Sequence, residues 1–364
     1  MVDNIYILCG GISAEHEISL MSAANIINNL DREKYNIYPV YITKEGVWVE
    51  LDKVDKDIEK PEDLIRKTDM SVGESLGKFL YGNYRHEDSN VFIPALHGTY
   101  GEDGVIQGFL EVLDIPYVGN SVLASAACMD KVVTNQVFEQ SGIPQAKYIG
   151  ILDTDFGSDP DKIIAKIEDK IDYPLFVKPA NAGSSVGVTK VNDAESLREA
   201  IKHAFNFDRK ILVEEAVIGR ELEVSVIGND FPISSLPGEH VTVGHDFFDY
   251  KSKYFDKTTI IKAPTEVTPE QEDEVRKLAV ETYKLMGCKG IARVDIFMRD
   301  SDKKMLVNEI NTFPGMTKSS LAPILWEPTD GTTYGQLIER LIEYALDEYK
   351  IKKKKQRSVN INDY

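Results

Sequence analysis

The chain opens on a β-rich run, Asn4–Cys9, that stops at Gly10-Gly11 and passes straight into helical spacing. Leu20, Ala23, Ala24, Ile27 and Leu30 recur at intervals of three and four, as one buried face of a helix requires. Tyr35–Thr43 then returns to a strand pattern, and Asn90–His97 supplies another. Strand, glycine turn, helix and strand in this order call for a parallel sheet, because parallel neighbours can be joined only by a crossover. In open sheets of this kind ligands gather beyond the carboxyl ends of the strands. Two glycine-bearing loops lie at such ends, Gly10-Gly11-Ile12-Ser13-Ala14-Glu15 and the loop from His97 to Gly104. Segment 50–88 is charged and carries no clear period.

Past Gly119 the pattern changes. Ser121 is placed to cap one helix running to about Ser141, with Gly142-Ile143-Pro144 as its stop. Strands are predicted over Leu175–Lys178, Val186–Val191 and Lys210–Glu215, with a helix over Ala194–Phe205, which together read as a small α+β unit. Later come strand Glu221–Gly228, a charged aromatic stretch over Phe247–Phe255 and helix Pro269–Met286. Strands Gly290–Met298 and Lys304–Glu309 and a last helix, Tyr334–Tyr349, follow. The expected blocks are 1–119, 120–214 and 215–364, with the lysine-rich end from Lys350 as a solvated, disordered tail.

Among 364 residues the net charge of −18 argues against general nucleic-acid binding, which needs a basic stripe. Cys9, Cys128 and Cys288 are far apart, a spacing that offers neither a disulfide framework nor a zinc site. No apolar run approaches membrane-spanning length, so a cytoplasmic protein without membrane contact is expected.

The residues with chemical weight come late. Alternation places Arg293 and Asp295 on one face of their strand, and Glu309 and Asn311 on one face of the next. Paired as a hairpin, the two strands bring a carboxylate pair, an amide and a guanidinium together. Oxygen ligands of that kind suit Mg²⁺ carrying phosphates. A surface hairpin is the competing reading, disfavoured because each polar residue stands among Ile, Val and Phe. The run Lys178-Pro179-Ala180-Asn181-Ala182-Gly183-Ser184-Ser185-Val186-Gly187 can cradle phosphate through backbone N–H groups, although a plain hairpin loop reads equally well. Neither a P-loop nor a dinucleotide fingerprint is present. Taken singly, Lys131 is a surface lysine of a helix, His97 a structural histidine and Glu15 a first-turn acid.

In combination these pieces resemble the D-alanine–D-alanine ligases of the ATP-grasp superfamily. The resemblance rests on Gly10-Gly11-x-Ser13-Ala14-Glu15-x-Glu17-Ile18-Ser19-Leu20 and His97-Gly98-x-x-Gly101-Glu102-Asp103-Gly104-x-Ile106-Gln107-Gly108. It continues through Met129-Asp130-Lys131, Gly183-Ser184-Ser185-Val186-Gly187, Phe248-Asp249-Tyr250-x-x-Lys253-Tyr254 and Asn308-Glu309-x-Asn311-Thr312-x-Pro314-Gly315-Met316-Thr317.

The resemblance implies a three-domain α/β ATP-grasp fold with an N-terminal Rossmann-like domain, and formation of D-alanyl-D-alanine through an acyl phosphate. The alternatives are D-alanyl-D-lactate synthesis or a binding protein without catalysis. It further implies that Lys131, Lys178, Ser185, Glu214, Val217, Glu221, Lys253 and Asn308 bind ATP. Asp295, Glu309 and Asn311 would hold two Mg²⁺ ions, which Mn²⁺ can replace. Glu15 would meet the first D-alanine near His97, Arg293 and the Gly315 N–H an oxyanion, and Ser320 with Leu321 the second carboxylate. Ser184 and Tyr254 would hydrogen-bond with Glu15, Phe248–Lys253 would form a lid, and the protein would be a homodimer. Two departures stand out: Phe248 where relatives have tyrosine, and Ala216 where some carry an aromatic.

Overall fold

A computed structural model of the chain describes residues 4–83, 90–241 and 260–355. The first sheet joins β1 (Asn4–Gly10), β2 (Asn36–Ile42), β3 (Trp48–Glu50) and β4 (Asn90–Pro94) in the order β3-β2-β1-β4. β1 pairs in parallel with both β2 and β4, as the crossover pattern requires, while β3 adds an antiparallel edge. The first helix, His16–Asn29, lies on this sheet and buries Leu20, Ala23, Ile26 and Ile27.

The second sheet is wholly antiparallel and takes the order β5 (Tyr148–Leu152), β8 (Lys210–Glu215), β6 (Leu175–Pro179), β7 (Thr189–Val191). The third combines β9 (Gly219–Ile227) with β10 (Ile233–Ser234), and a ribbon of β11 (Glu239–Val241) and β12 (Ile260–Lys262) lies beside β9. β13 (Ile291–Arg299) and β14 (Met305–Asn311) complete it in the order β10-β9-β13-β14, covered by helix Pro269–Leu285. The outer segments of the chain share one core. Ile5, Ile7, Ile26 and Val91 pack with Phe313, Met316, Trp326, Leu337 and Leu341, so the last helix closes over the first sheet.

Three local expectations are corrected. The predicted helix over 121–141 is two, Val122–Met129 and Lys131–Ser141. Asp130 has extended backbone and accepts the N–H groups of Val132 and Val133, both at 3.1 Å, so its carboxylate caps a fresh helix in mid-pattern. The strand expected from Val186 begins only at Thr189, because the preceding loop is turned by left-handed residues at Ser184, Ser185 and Gly187. The last helix runs on to Lys353 rather than ending near Tyr349. Leu337, Ile338, Leu341, Ile342 and Ala345 anchor it, and Lys352 and Lys353 pair with Glu111 and Asp114. Segment 50–88, without a period in the sequence, holds a short helix, Val72–Lys78, capped by Ser71 and Glu74.

Candidate functional site

The hairpin of β13 and β14 forms as its alternation demands: Arg293 stands opposite Asn311, and Asp295 opposite Glu309. The register then shifts between Asp295 and Ile296, leaving Asn308 as an extra residue on β14. This bulge changes which side chains reach the cleft. Strict alternation would turn Asn308 away from Glu309; instead both line the same cavity, and Asn308 donates to Glu221 at 2.7 Å.

On the other side β9 sets Glu223 beside Asp295 and Glu221 beside Phe297. Arg293 lies among these acids. Its guanidinium grips both oxygens of Asp295 at 2.7 Å and reaches Glu223 at 2.9 Å. Glu223 also accepts from His240 Nδ1 at 2.6 Å. Asn311 donates to Asp295 through Nδ2 at 3.0 Å, which leaves its amide oxygen as an acceptor. Burial pushes the Asp295 carboxyl up to about 8, against the pull of Arg293 and with help from Glu223 and Glu309. Burial works against the Arg293 charge, yet Asp295 and Glu223 hold it firmly protonated. Carboxylates crowded out of water in this way favour a cation between them.

The lysines stand on the facing wall. Lys178, near the end of β6, is half-buried and paired with Glu214 of the neighbouring β8. Burial opposes its charge, but Glu214, with Glu309 and Glu221 behind it, raises its pKa. Lys131 opens the second of the two helices, donates to the Ala182 carbonyl at 2.8 Å and lies 3.9 Å from Glu309. Its place at the helix start is set by the Asp130 cap. The loop after β6 carries Ser184 and Ser185 at φ 48° and 59°. Non-glycine residues occupy such conformations only where the surroundings impose them.

Glu15, at the mouth of the first helix, is buried and accepts a hydrogen bond from Ser184. Gly98 and Gly183 crowd it, since a Cβ on either would fall within 2.8 Å of its carboxylate. His97 lies behind, with Nδ1 at 3.2 Å from Glu102 and Nε2 at 2.8 Å from Ser22. Burial disfavours its charge, but the Glu102 hydrogen bond and the charges of Glu102 and Glu15 raise its pKa. Gly315 and Ser320 face each other across a tight turn, and Leu321 begins the short helix beyond.

Seventeen expected residues line one cleft of about 500 Å³ between the three sheets. They are Glu15, His97, Lys131, Lys178, Ser184, Ser185, Glu214, Val217 and Glu221, with Arg293, Asp295, Asn308, Glu309, Asn311, Gly315, Ser320 and Leu321. Tyr254, Lys253 and Phe248 lie outside the described residues. Sequence reasoning passed over Glu223, Glu102 and His240, which also line the cleft. Two-residue alternation from Glu221 would have found Glu223. Glu102 belongs to the glycine-rich motif that follows His97, whose spacing alone points to no role for it, and His240 left no signal.

An arrangement of two lysines, an arginine and clustered acids can bind a polyphosphate and steady charge on a reacting oxygen. Comparison with known proteins agrees. Residues 4–120 match the family described as D-ala D-ala ligase N-terminus, and residues 137–343 match D-ala D-ala ligase C-terminus. The D-alanine--D-alanine ligase of Finegoldia magna is 44% identical over 350 residues, covering 96% of this chain and 97% of that one. The same-named protein of Staphylococcus epidermidis is 42% identical over 358 residues, with 98% and 99% covered. Among solved structures, the D-alanine-D-alanine ligase of Coxiella burnetii superposes with a TM-score of 0.80 at 32% identity, covering 97% and 96%. The VanG D-Ala:D-Ser ligase of Enterococcus faecalis gives 0.78 at 32%, covering 95% and 100%. A Bacillus anthracis D-alanine--D-alanine ligase complexed with ATP gives 0.73 at 27%, covering 96% and 99%.

Proposed function

Because the chain belongs to the D-alanine–D-alanine ligase family, we propose that it joins two D-alanine molecules into D-alanyl-D-alanine for cell-wall precursors, converting ATP to ADP and phosphate. It is an ADP-forming ligase with the ATP-grasp fold of its relatives. The observation that carries the reading is the meeting of Lys131, Lys178, Arg293, Asp295 and Glu309 in the cleft that also holds Glu15. The ATP-bound neighbour supports ATP use. Blocks 1–119, 120–214 and 215–364 serve as the three domains of this reading, each centred on one of the three sheets.

The roles follow from charge and position. Glu15 takes the ammonium of the first D-alanine, whose carboxylate oxygen attacks the γ-phosphorus. The bond to the β-phosphate oxygen breaks and ADP departs. Lys131 and Lys178 neutralise the phosphates, while Glu214, Val217, Glu221, Asn308, Ser185 and Lys253 hold the rest of the nucleotide. The uncharged amine of the second D-alanine, placed by Ser320 and Leu321, attacks the acyl carbon. The C–O bond to phosphate breaks, and the nitrogen gives up one of its two protons, which leaves with the phosphate. Arg293 and the Gly315 N–H stabilise the oxyanion between these events, a kind of contact worth roughly 3–4 kcal/mol per donor.

The donor set fits Mg²⁺. Among the described residues no three His, Cys, Asp or Glu side chains form a metal cage by themselves. Two carboxylates and an amide oxygen, with phosphates completing the shell, is how Mg²⁺ is commonly held. Asp295, Glu309 and Asn311 are those ligands in this reading. When bound, the ion offsets phosphate charge and polarises the P–O bonds.

Tyr254, to which this reading gives the preference for an amine acceptor, and the stretch Phe248–Lys253, expected as a lid, lie outside the described residues. The reading includes a homodimer in the cytoplasm; no described helix is long and apolar enough to cross a membrane. The test is mass spectrometry of products after incubation with ATP, Mg²⁺ and equal D-alanine, D-serine and D-lactate at pH 7.5. D-alanyl-D-alanine is expected to dominate. Mainly ester or mainly D-alanyl-D-serine overturns the acceptor assignment, and no D-alanine-dependent phosphate release overturns the ligase reading.

A further inference from the structure

Ser22 lies in the first helix, fully buried, two turns beyond Glu15, and does not line the cleft. Its hydroxyl is 2.8 Å from His97 Nε2 and accepts the Met316 N–H at 3.2 Å. Whichever nitrogen of His97 carries the proton, this one oxygen ties the imidazole to the backbone of the loop holding Gly315. Three residues on, Asn25 donates to the Met316 carbonyl at 2.9 Å, and the Tyr334 hydroxyl donates to the same oxygen at 2.7 Å. Residues three apart share a helix face. The first helix thus holds the amide of Met316 with Ser22 and its carbonyl with Asn25. Ser22 holds the Gly315–Met316 peptide plane and Asn25 the Met316–Thr317 plane, so the backbone is pinned on both sides of Met316, directly after Gly315. The His97 ring also packs on Phe313, with centroids 6.1 Å apart, and Thr312 donates to the Glu102 carbonyl.

We infer that Ser22 is a positioning residue for ligation, fixing the backbone just after Gly315, and with it the aim of the Gly315 N–H, through its joint hold on Met316 and His97. The inference rests on the ligase reading, in which the Gly315 N–H faces the developing oxyanion. Because Glu15 begins the helix that carries Ser22, one rigid element sets both the first-substrate carboxylate and the anion loop. Removing the hydroxyl leaves a buried amide and a ring nitrogen without their shared partner and lets the peptide plane tilt. The loss falls on the chemical step, since none of these atoms lies among the residues proposed to hold ATP.

The test is steady-state D-alanine-dependent phosphate release by full-length Ser22→Ala. Expected is a fall in kcat of about 10- to 100-fold, the usual consequence of losing one buried hydrogen-bond partner, with the KM for ATP within about twofold of wild type. Ser19→Ala serves as comparison. Ser19 is an equally buried serine of the same helix that accepts from Gly10 N–H and donates to the Ala95 carbonyl, away from Gly315. It is expected to lower thermal stability while keeping kcat within about threefold. Should Ser22→Ala not fold, Ser22→Cys, similar in size with a weaker donor and acceptor, is measured instead and shows a smaller fall in kcat. A kcat within twofold of wild type in the folded variant overturns the inference. So does a loss confined to the KM for ATP, or an equal kcat loss in Ser19→Ala. A wild-type chain that releases no phosphate with D-alanine refutes the ligase reading itself, an outcome distinct from each of these.

Discussion

Gly98→Ala tests the geometry around Glu15 directly. Gly98 sits at φ 71°, and a Cβ there would fall 2.3 Å from Glu15 Oε2 and 2.6 Å from Ser13 Oγ. Ordinary contact begins near 3.4 Å, so the Glu15 carboxylate must retreat by about 1 Å. That motion separates it from Ser184 and from the place where a substrate ammonium would sit. A misplacement of this size at a reacting centre costs about 100-fold, or roughly 2.7 kcal/mol of barrier. The backbone contributes separately, because left-handed φ costs a non-glycine residue about 1–2 kcal/mol of stability. Gly142→Ala isolates that second part: its φ is 74°, it terminates helix Lys131–Ser141, and no atom lies within 4 Å of its Cβ position. Both variants should therefore lose similar backbone stability in thermal or urea unfolding, with Gly98→Ala losing more. Only Gly98→Ala should lose about 100-fold in kcat/KM for D-alanine, measured by phosphate release at saturating ATP. Folded Gly98→Ala enzyme with kcat/KM within threefold of wild type would refute the placement of Glu15 against this loop.

Three further outcomes follow from the same geometry. Glu309→Gln keeps size but removes a charge from the oxygen cluster, so phosphate release should fall at least about 100-fold and Mg²⁺–ATP binding, followed by calorimetry, should weaken; turnover near wild type removes Glu309 from the site. Asp130→Ala deletes the cap that starts the Lys131 helix and the partner of Lys210, and should cost about 1 kcal/mol in urea unfolding while raising the KM for ATP severalfold; an unchanged KM would show that Lys131 keeps its place without the cap. Cys9, Cys128 and Cys288 are buried, and burial pushes the Cys9 thiol up to about 12. A thiol-specific dye at pH 8 should therefore label none of the three in the folded protein and all three in denaturant; rapid labelling of Cys9 without unfolding would contradict its burial.

Features that depend on short periods and on neighbours along the chain were legible before any fold was known. The crossover pattern from Asn4 to Ile42 dictated parallel pairing, and two-residue alternation in β13 and β14 brought Arg293, Asp295, Glu309 and Asn311 to one face. The glycine and serine loop after Lys178 and the motif at His97 marked two walls of the cleft, and only the ordered resemblance assembled them with Lys131 and Glu15 into one chemistry. The remaining features emerge only on folding, because each arises from partners distant in sequence. The bulge that turns Asn308 towards Glu221 is a mismatch between two strands, visible only once they are paired. Glu223 takes its meaning from lying beside Asp295 with Arg293 between them, since burial among like charges is a property of the packed site. The basic end read as a tail on composition alone, yet apolar packing against the first sheet extends the last helix to Lys353. Asp130 shows the limit most simply. Its apolar neighbours keep helical spacing on both sides, but a carboxylate that caps two amides ends one helix and starts another, and hydrogen bonding at a single residue overrides a period read over twenty.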